Sequence, residues 1–210
     1  MVKVKICGVT NLKDARQALE SGASFIGFNF YKRSPRYITP SAARRILQRL
    51  PQRIKSVGVF VNESEEKMLA VARRTGLDYL QLHGEESPDA VARLKRTLPV
   101  IKAIRVGDSF STRQLIPYKY ATAFLLDGFD RRRHGGSGKT FRWDIARRAK
   151  RAGRIFLAGG LTPGNVGAAI RSAKPYAVDV CSGVEAKPGK KDPMLLKDFM
   201  RAVREAQKTI

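Results

Sequence analysis

Eight short apolar runs punctuate the chain, at residues 2–7, 24–29, 56–61, 78–82, 99–104, 122–127, 154–158 and 176–181. They are rich in Val, Ile, Leu and Phe and too short for helices, so they predict β-strands. Between them, apolar residues recur at helical spacing over about 12–22, 40–50, 64–75, 87–97, 110–117, 142–152, 163–173 and 192–207. Thr39-Pro40, Ser87-Pro88 and Thr162-Pro163 each put a capping side chain before a proline at the first helical position, and Thr10-Asn11 offers a similar start. Pro117, Tyr118 and Tyr120 crowd the fifth helical segment and work against a regular α-helix there. Eight strand-helix units in 210 residues leave room for a closed parallel barrel and little else. The expected fold is α/β, a single (β/α)8 barrel domain over residues 1–210.

Barrel enzymes carry their chemistry on the residues that follow each strand. Here the first strand ends at Cys7, the second leads into Phe30 through Arg36, the third reaches Asn62 and the fourth His83-Gly84. The sixth ends at Asp127, the seventh at Gly159-Gly160 and the eighth at Cys181-Ser182-Gly183. Cys7 and Asp127 are the candidate acid-base pair, since strands one and six lie far enough apart for the groups to face each other across the mouth. An unperturbed thiol titrates near ~8.5 and an aspartate near ~3.9, so such a site has to perturb both. Alternation puts Lys5 on the same inward face as Cys7, where its ammonium can favour the thiolate. Taken alone, a strand-end Cys is commonly a small packing residue and a strand-end Asp a helix cap.

His83 shares its face with Gln81 and is either a rim group or a structural one. Arg36 follows Ser34-Pro35 in a short loop, where its fork can hold a carboxylate or serve as plain surface charge. Gly159-Gly160 and Ser182-Gly183 form neighbouring turns after strands seven and eight. Backbone N–H groups approach an anion closely at such turns, so the expected ligand is a phosphorylated small molecule. The run Gly135-Gly136-Ser137-Gly138-Lys139-Thr140 imitates a nucleotide loop, but Arg133 stands where that loop requires glycine, and no strand precedes it. A flexible flap built on Gly136, Ser137, Gly138 and Lys139 is the better reading.

Composition adjusts this picture in two respects. The formal charge is +23, from 41 Lys and Arg against 18 Asp and Glu. Arg44-Arg45, Arg73-Arg74, Arg147-Arg148 with Lys150 and Arg151, and Arg201 with Arg204 recur at equivalent points of successive helices. They read as a solvated basic surface that meets nucleic acid only non-specifically, if at all. Two cysteines far apart in sequence give neither a disulfide framework nor a metal-ligand spacing, so free thiols and no metal are expected. No stretch approaches the ~18–20 apolar residues of a membrane span and none resembles a signal peptide, which predicts a cytoplasmic protein without membrane contact.

Seven segments, in order, resemble the phosphoribosylanthranilate isomerases of tryptophan biosynthesis. They are Lys5 to Thr10, Ser34 to Tyr37, Val57 to Asn62, Gln81 to Glu85, Gly135 to Lys139, Ala158 to Leu161 and Asp179 to Glu185. The resemblance implies an Amadori rearrangement of N-(5-phosphoribosyl)anthranilate to 1-(2-carboxyphenylamino)-1-deoxyribulose 5-phosphate, with no cofactor. It implies Asp127 as the acid that opens the ribose ring, Cys7 as the base at C2, Arg36 on the anthranilate carboxylate and the two glycine turns on the phosphate. The related isomerase of histidine biosynthesis performs the same chemistry, but its strand-one base is an aspartate, against Cys7. Arg142, where an acidic residue is common, the basic insertion Asp130 to His134 and the overall charge depart from the family pattern. Cys181 is expected beside Cys7 at a separation a disulfide tolerates, facing inward only if Asp179 does.

Overall fold

All eight apolar runs form strands in the computed structural model, which describes residues 1–107, 109–128 and 143–209. They are β1 (Lys3–Ile6), β2 (Phe25–Asn29), β3 (Lys55–Phe60), β4 (Tyr79–Leu82), β5 (Val100–Arg105), β6 (Ala123–Asp127), β7 (Arg154–Ala158) and β8 (Ala177–Val180). Every neighbouring pair is parallel, and β1 pairs with β8, so the sheet closes into a barrel in sequence order. Helices α1 (Leu12–Glu20), α2 (Pro40–Leu47), α3 (Glu65–Thr75), α4 (Pro88–Lys95), α5 (Trp143–Ala149), α6 (Val166–Ala173) and α7 (Pro193–Gln207) make the crossovers and the final turn. Side-chain caps start five of them: Asn11, Thr39, Ser64, Ser87 and Asp192 each accept a backbone N–H of the first turn.

Alternation along the strands divides the core into two parts. Ile26, Phe28, Phe60, Leu80, Leu82, Phe124, Leu126 and Leu157 point outward and pack under the helices against residues such as Met68, Val91, Ala169 and Phe199. Phe25, Val57, Ile101, Leu125, Phe156 and Ala177 point inward and plug the barrel, with the Phe25 and Phe156 rings edge-to-face at 5.3 Å. The plug closes the barrel below, and polar inward residues begin above it, toward the carboxyl ends of the strands.

Three elements depart from the sequence pattern. The fifth helical segment is a 3-10 helix, Thr112–Tyr118, with Pro117 inside it; proline lacks the N–H and the room that an α-helical turn requires. The segment expected at 163–173 becomes helical only at Val166, because Asn165 occupies the preceding turn. Its Oδ1 accepts from Thr162 N at 2.8 Å and its Nδ2 donates to Gly160 O at 2.9 Å. Thr162-Pro163 is therefore part of a side-chain-closed loop rather than a cap. After a 3-10 turn, Ser182–Val184, the chain makes an antiparallel hairpin of β9 (Glu185–Lys187) and β10 (Lys190–Lys191) that the strand pattern did not reveal. Its two strands have three and two residues, too few for a period to show. Among the described residues no helix is long and apolar enough to cross a membrane.

Candidate active site

The register of β1 against β8 pairs Lys5 with Asp179 and Ile6 with Val180, and Cys7 N continues the ladder to Val180 O at 2.9 Å. Cys7 and Cys181 thus stand side by side at the rim. Directly beneath them Lys5 Nζ donates to Asp179 Oδ1 at 2.8 Å, with the lysine side chain wholly buried. That bond settles the orientation left open by the sequence, because Asp179 is inward and alternation then carries Cys181 inward too. On the other side Cys7 abuts β2. A Cβ on Gly27 would come within 2.8 Å of Cys7 Sγ and 3.1 Å of Lys5 Nζ, so only glycine leaves room there for thiol and ammonium together.

The electrostatics follow from these contacts. The neighbouring Cys181 thiol, as hydrogen-bond donor, and the Lys5 ammonium hold the Cys7 thiol well below its ordinary range, against the opposing effect of burial. Cys181 moves the opposite way, raised by the Cys7 thiolate and by burial, so it keeps its proton. Burial pushes Asp179 up to about 6 despite the pull of Lys5. Burial alone would lower Lys5, but Asp179 and Cys7 outweigh it, and the ammonium is held above the ordinary lysine value. The result is a thiol pushed toward its thiolate, an ammonium and a carboxylate stacked at the β1/β8 seam.

Asp127 ends β6, and its carboxylate lies 3.4 Å from His83 Nε2 at the end of β4. Gln81, two residues earlier on the same inward face, places its Nε2 3.1 Å from His83 Nδ1. His83 is therefore a rim group, held by Gln81 and turned to the carboxylate.

Gly159 and Gly160 both have positive φ, 92° and 64°, which left-handed backbone glycine tolerates without strain. A Cβ on Gly183 would fall 1.9 Å from Leu161 O, so the turns after β7 and β8 are packed directly on one another, with Ser182 in the second. A Cβ on Gly159 would come within 2.9 Å of Asp127 Oδ1. The glycine turns therefore adjoin the Asp127 carboxylate. The proposed flap residues Gly136, Ser137, Gly138 and Lys139, with Arg142 and the basic insertion Asp130 to His134, lie outside the described residues.

Arg36 also reaches the rim, but not as an isolated surface charge. Its Nε and Nη2 grip the Glu185 carboxylate at 2.6–3.0 Å, and Lys191 of β10 donates to the same carboxylate at 2.9 Å. Glu185 closes the family-like segment Asp179 to Glu185, where no sequence signal marks its partner. Lys191 went unnoticed because nothing in a basic chain separates one buried lysine from many exposed ones. A second unforeseen cluster lies behind the rim. Lys102 Nζ donates to Glu86 Oε2 at 2.7 Å and Gly84 O at 2.6 Å, and Glu86 accepts from the N–H groups of Asn62 and Gly84. It ties together the chain ends after β3 and β4, the latter being where His83 sits. Among the described residues no cluster of His, Cys, Asp and Glu has the arrangement of a metal site.

The fold and site together define a class: a (β/α)8 enzyme with titratable and anion-attracting groups gathered on its catalytic rim. The sequence profile of the family described as N-(5'phosphoribosyl)anthranilate (PRA) isomerase matches residues 4–202. A relative from Pelobacter propionicus of that name is 50% identical over 207 residues, covering 99% of this chain and 98% of its own length. The crystal structure of phosphoribosyl anthranilate isomerase from Thermotoga maritima superposes with a TM-score of 0.91 at 45% identity, covering 98% of this chain and all of that one. A second solved structure, 43% identical with a TM-score of 0.88 and 98% coverage of this chain, is of the isomerase in complex with reduced 1-(o-carboxyphenylamino)-1-deoxyribulose 5-phosphate. The chain belongs to the N-(5'-phosphoribosyl)anthranilate isomerase family, and is an isomerase of tryptophan biosynthesis. That assignment decides between the two Amadori isomerases weighed from the sequence.

Proposed function

We propose that Cys7 and Asp127 carry out the Amadori rearrangement of N-(5'-phosphoribosyl)anthranilate as general base and general acid. The observation that carries this reading is the thiolate-favouring seat of Cys7 at the end of β1, between Lys5, Cys181 and Gly27, on the same rim as Asp127. Asp127 passes a proton to the ribose ring oxygen as the bond from C1 breaks, leaving a Schiff base to the anthranilate nitrogen. The Cys7 thiolate then takes the C2 proton, giving an enolamine. Protonation at C1 and loss of the C2 hydroxyl proton give the ketose, and the two groups return to their starting states. His83 Nε2, 3.4 Å from the Asp127 carboxylate, stands where it can orient that acid toward the ring oxygen.

The turns at Gly159-Gly160 and Ser182-Gly183 suit the phosphate, as adjacent backbone turns at the carboxyl end of β7 and β8. Arg36 suits the anthranilate carboxylate, and the flap from Gly136 to Lys139 suits closure over the bound sugar. Free thiols at the site fit a cytoplasmic setting, where thiols stay reduced.

The test is the fall in anthranilate fluorescence when purified protein meets freshly made substrate. Cys7→Ser and Asp127→Asn are each expected to lose at least ~10²-fold in kcat, the lower end of what acid-base catalysis contributes, while the reduced product analogue binds almost as before. Near-normal turnover in either variant removes that residue from the mechanism.

A further inference from the structure

Arg36 has two ways to bind a carboxylate, and one is already taken. Glu185 occupies the side-on edge: Nε lies 2.9 and 3.0 Å from its two oxygens and Nη2 lies 2.6 Å from Oε2. The other edge, made by Nη1 and the second Nη2 hydrogen, remains for a ligand, and among the described residues no hydrogen bond engages Nη1. This accounts for direction but raises a charge problem. Arg36 and Glu185 alone are neutral together, and an incoming carboxylate would meet the Glu185 charge as well as the guanidinium.

Lys191 resolves it. Its side chain is wholly buried, its Nζ lies 2.9 Å from Glu185 Oε1, and it also donates to Cys181 O at 3.2 Å. The ammonium is held by construction: the Lys191 backbone N–H donates to the buried Asp14 carboxylate at 2.8 Å, fastening β10 to α1. Gly189 N, in the turn of the hairpin, adds another donor to Glu185 Oε1 at 3.3 Å. Two cations on one anion give Arg36, Glu185 and Lys191 together a net positive charge, which also faces the Cys7 thiolate. Burial pushes the Glu185 carboxyl up, but Arg36 and Lys191 outweigh it and keep it ionised, below its ordinary range.

We propose that Glu185 and Lys191 are positioning residues for carboxylate recognition. Glu185 aims the free edge of Arg36, and Lys191, without touching substrate, supplies the charge that keeps the cluster attractive to an anion. The proposal rests on the reading of Arg36 as the anthranilate-carboxylate group and adds to it the reason for the β9–β10 hairpin. It also predicts a signature that a merely structural lysine would not give: selectivity for the ligand's carboxylate.

The experiment measures binding by calorimetry of two ligands, reduced 1-(o-carboxyphenylamino)-1-deoxyribulose 5-phosphate and its phenyl counterpart without the carboxylate. The preference of the parent for the first ligand is the readout. Lys191→Met should lower that preference by at least ~10-fold, equivalent to ~1.4 kcal/mol, while affinity for the phenyl ligand changes less than ~2-fold. Lys191→Gln replaces it if the methionine variant does not fold. Adding Glu185→Gln restores the net charge, so the double variant should recover part of the preference, but not all, because an amide grips the fork less well.

Equal weakening of both ligands in Lys191→Met, an unchanged preference, or a double variant no better than the single one overturns the charge role of Lys191. Full recovery in the double variant overturns the aiming role of Glu185. Arg36→Ala is the control for the underlying reading. If it leaves the preference intact, the assignment of Arg36 fails and the proposal fails with it; if Arg36→Ala abolishes the preference while Lys191→Met does not, only the proposal fails.

Discussion

A thiol that takes a carbon-bound proton at neutral pH has to be ionised there, and an ordinary one, titrating near ~8.5, mostly is not. At Cys7 the difference comes from neighbours: a donated hydrogen bond from Cys181 and the ammonium of Lys5, with Lys191 adding charge from farther off. A lowered value means the thiolate persists as pH falls below ~8.5. Alkylation of Cys7 by iodoacetamide, followed by mass spectrometry, should therefore show its midpoint well below that pH, and Cys181→Ala should move it upward. A midpoint near ~8.5 in the parent would contradict the geometry. The same adjacency bears on oxidation. Diamide, accepting two electrons and two protons from the paired thiols, should join Cys7 to Cys181, abolish activity and be reversed by dithiothreitol, whereas Cys181→Ser should resist. Equal inactivation of Cys181→Ser would assign the sensitivity to Cys7 alone.

At the scale of elements, short connections carry much of the site. The β4–α4 connection is fixed by the buried carboxylate of Glu86, which accepts from Asn62 N, Gly84 N and Lys102 Nζ. Lys102 is 2% exposed, so removing it strands a buried charge. Lys102→Met is expected to destabilise the protein by ~3–5 kcal/mol in urea unfolding, and Lys102→Met with Glu86→Gln by less, since the charge goes with its partner. A loss below ~1 kcal/mol in the single variant would show that the pair is solvated or dispensable. The departures at Thr112–Tyr118 and before α6 have the same origin. Backbone hydrogen bonds there are decided by Pro117 and the Asn165 side chain, competing locally with helix.

At the scale of the whole molecule the excess of cations is divided by burial. Arg44, Arg45, Arg73, Arg74, Arg147, Arg148, Lys150, Arg151, Arg201 and Arg204 are all exposed, as the helical spacing predicted. Lys5, Lys102 and Lys191 are buried, each on a carboxylate. The outer charge acts at long range. A substrate bearing a phosphate and a carboxylate should be steered by a formal +23 surface, and steering is screened once the Debye length falls to ~10 Å near 0.1 M salt. The expected result is that kcat/KM falls more than kcat as ionic strength rises. A flat profile would confine the charge to surface solvation.

Periodicity by itself determined the barrel. Eight apolar runs of strand length alternating with amphipathic helices admit few closed solutions, and burial enforces period in both elements. Strand-end position brought out Cys7, Asp127, His83, Arg36 and the glycine turns, because closure puts every strand's carboxyl end on one rim. Only the tertiary structure decided what those residues face. That Cys181 is inward, that Glu185 takes one edge of Arg36 and that Lys191 balances the charge all depend on contacts across the β8–β1 seam or between segments as distant as Arg36 and Glu185. A buried lysine and an exposed one are the same letter in a sequence. The difference is the carboxylate that meets it, and that meeting exists only once the barrel has closed.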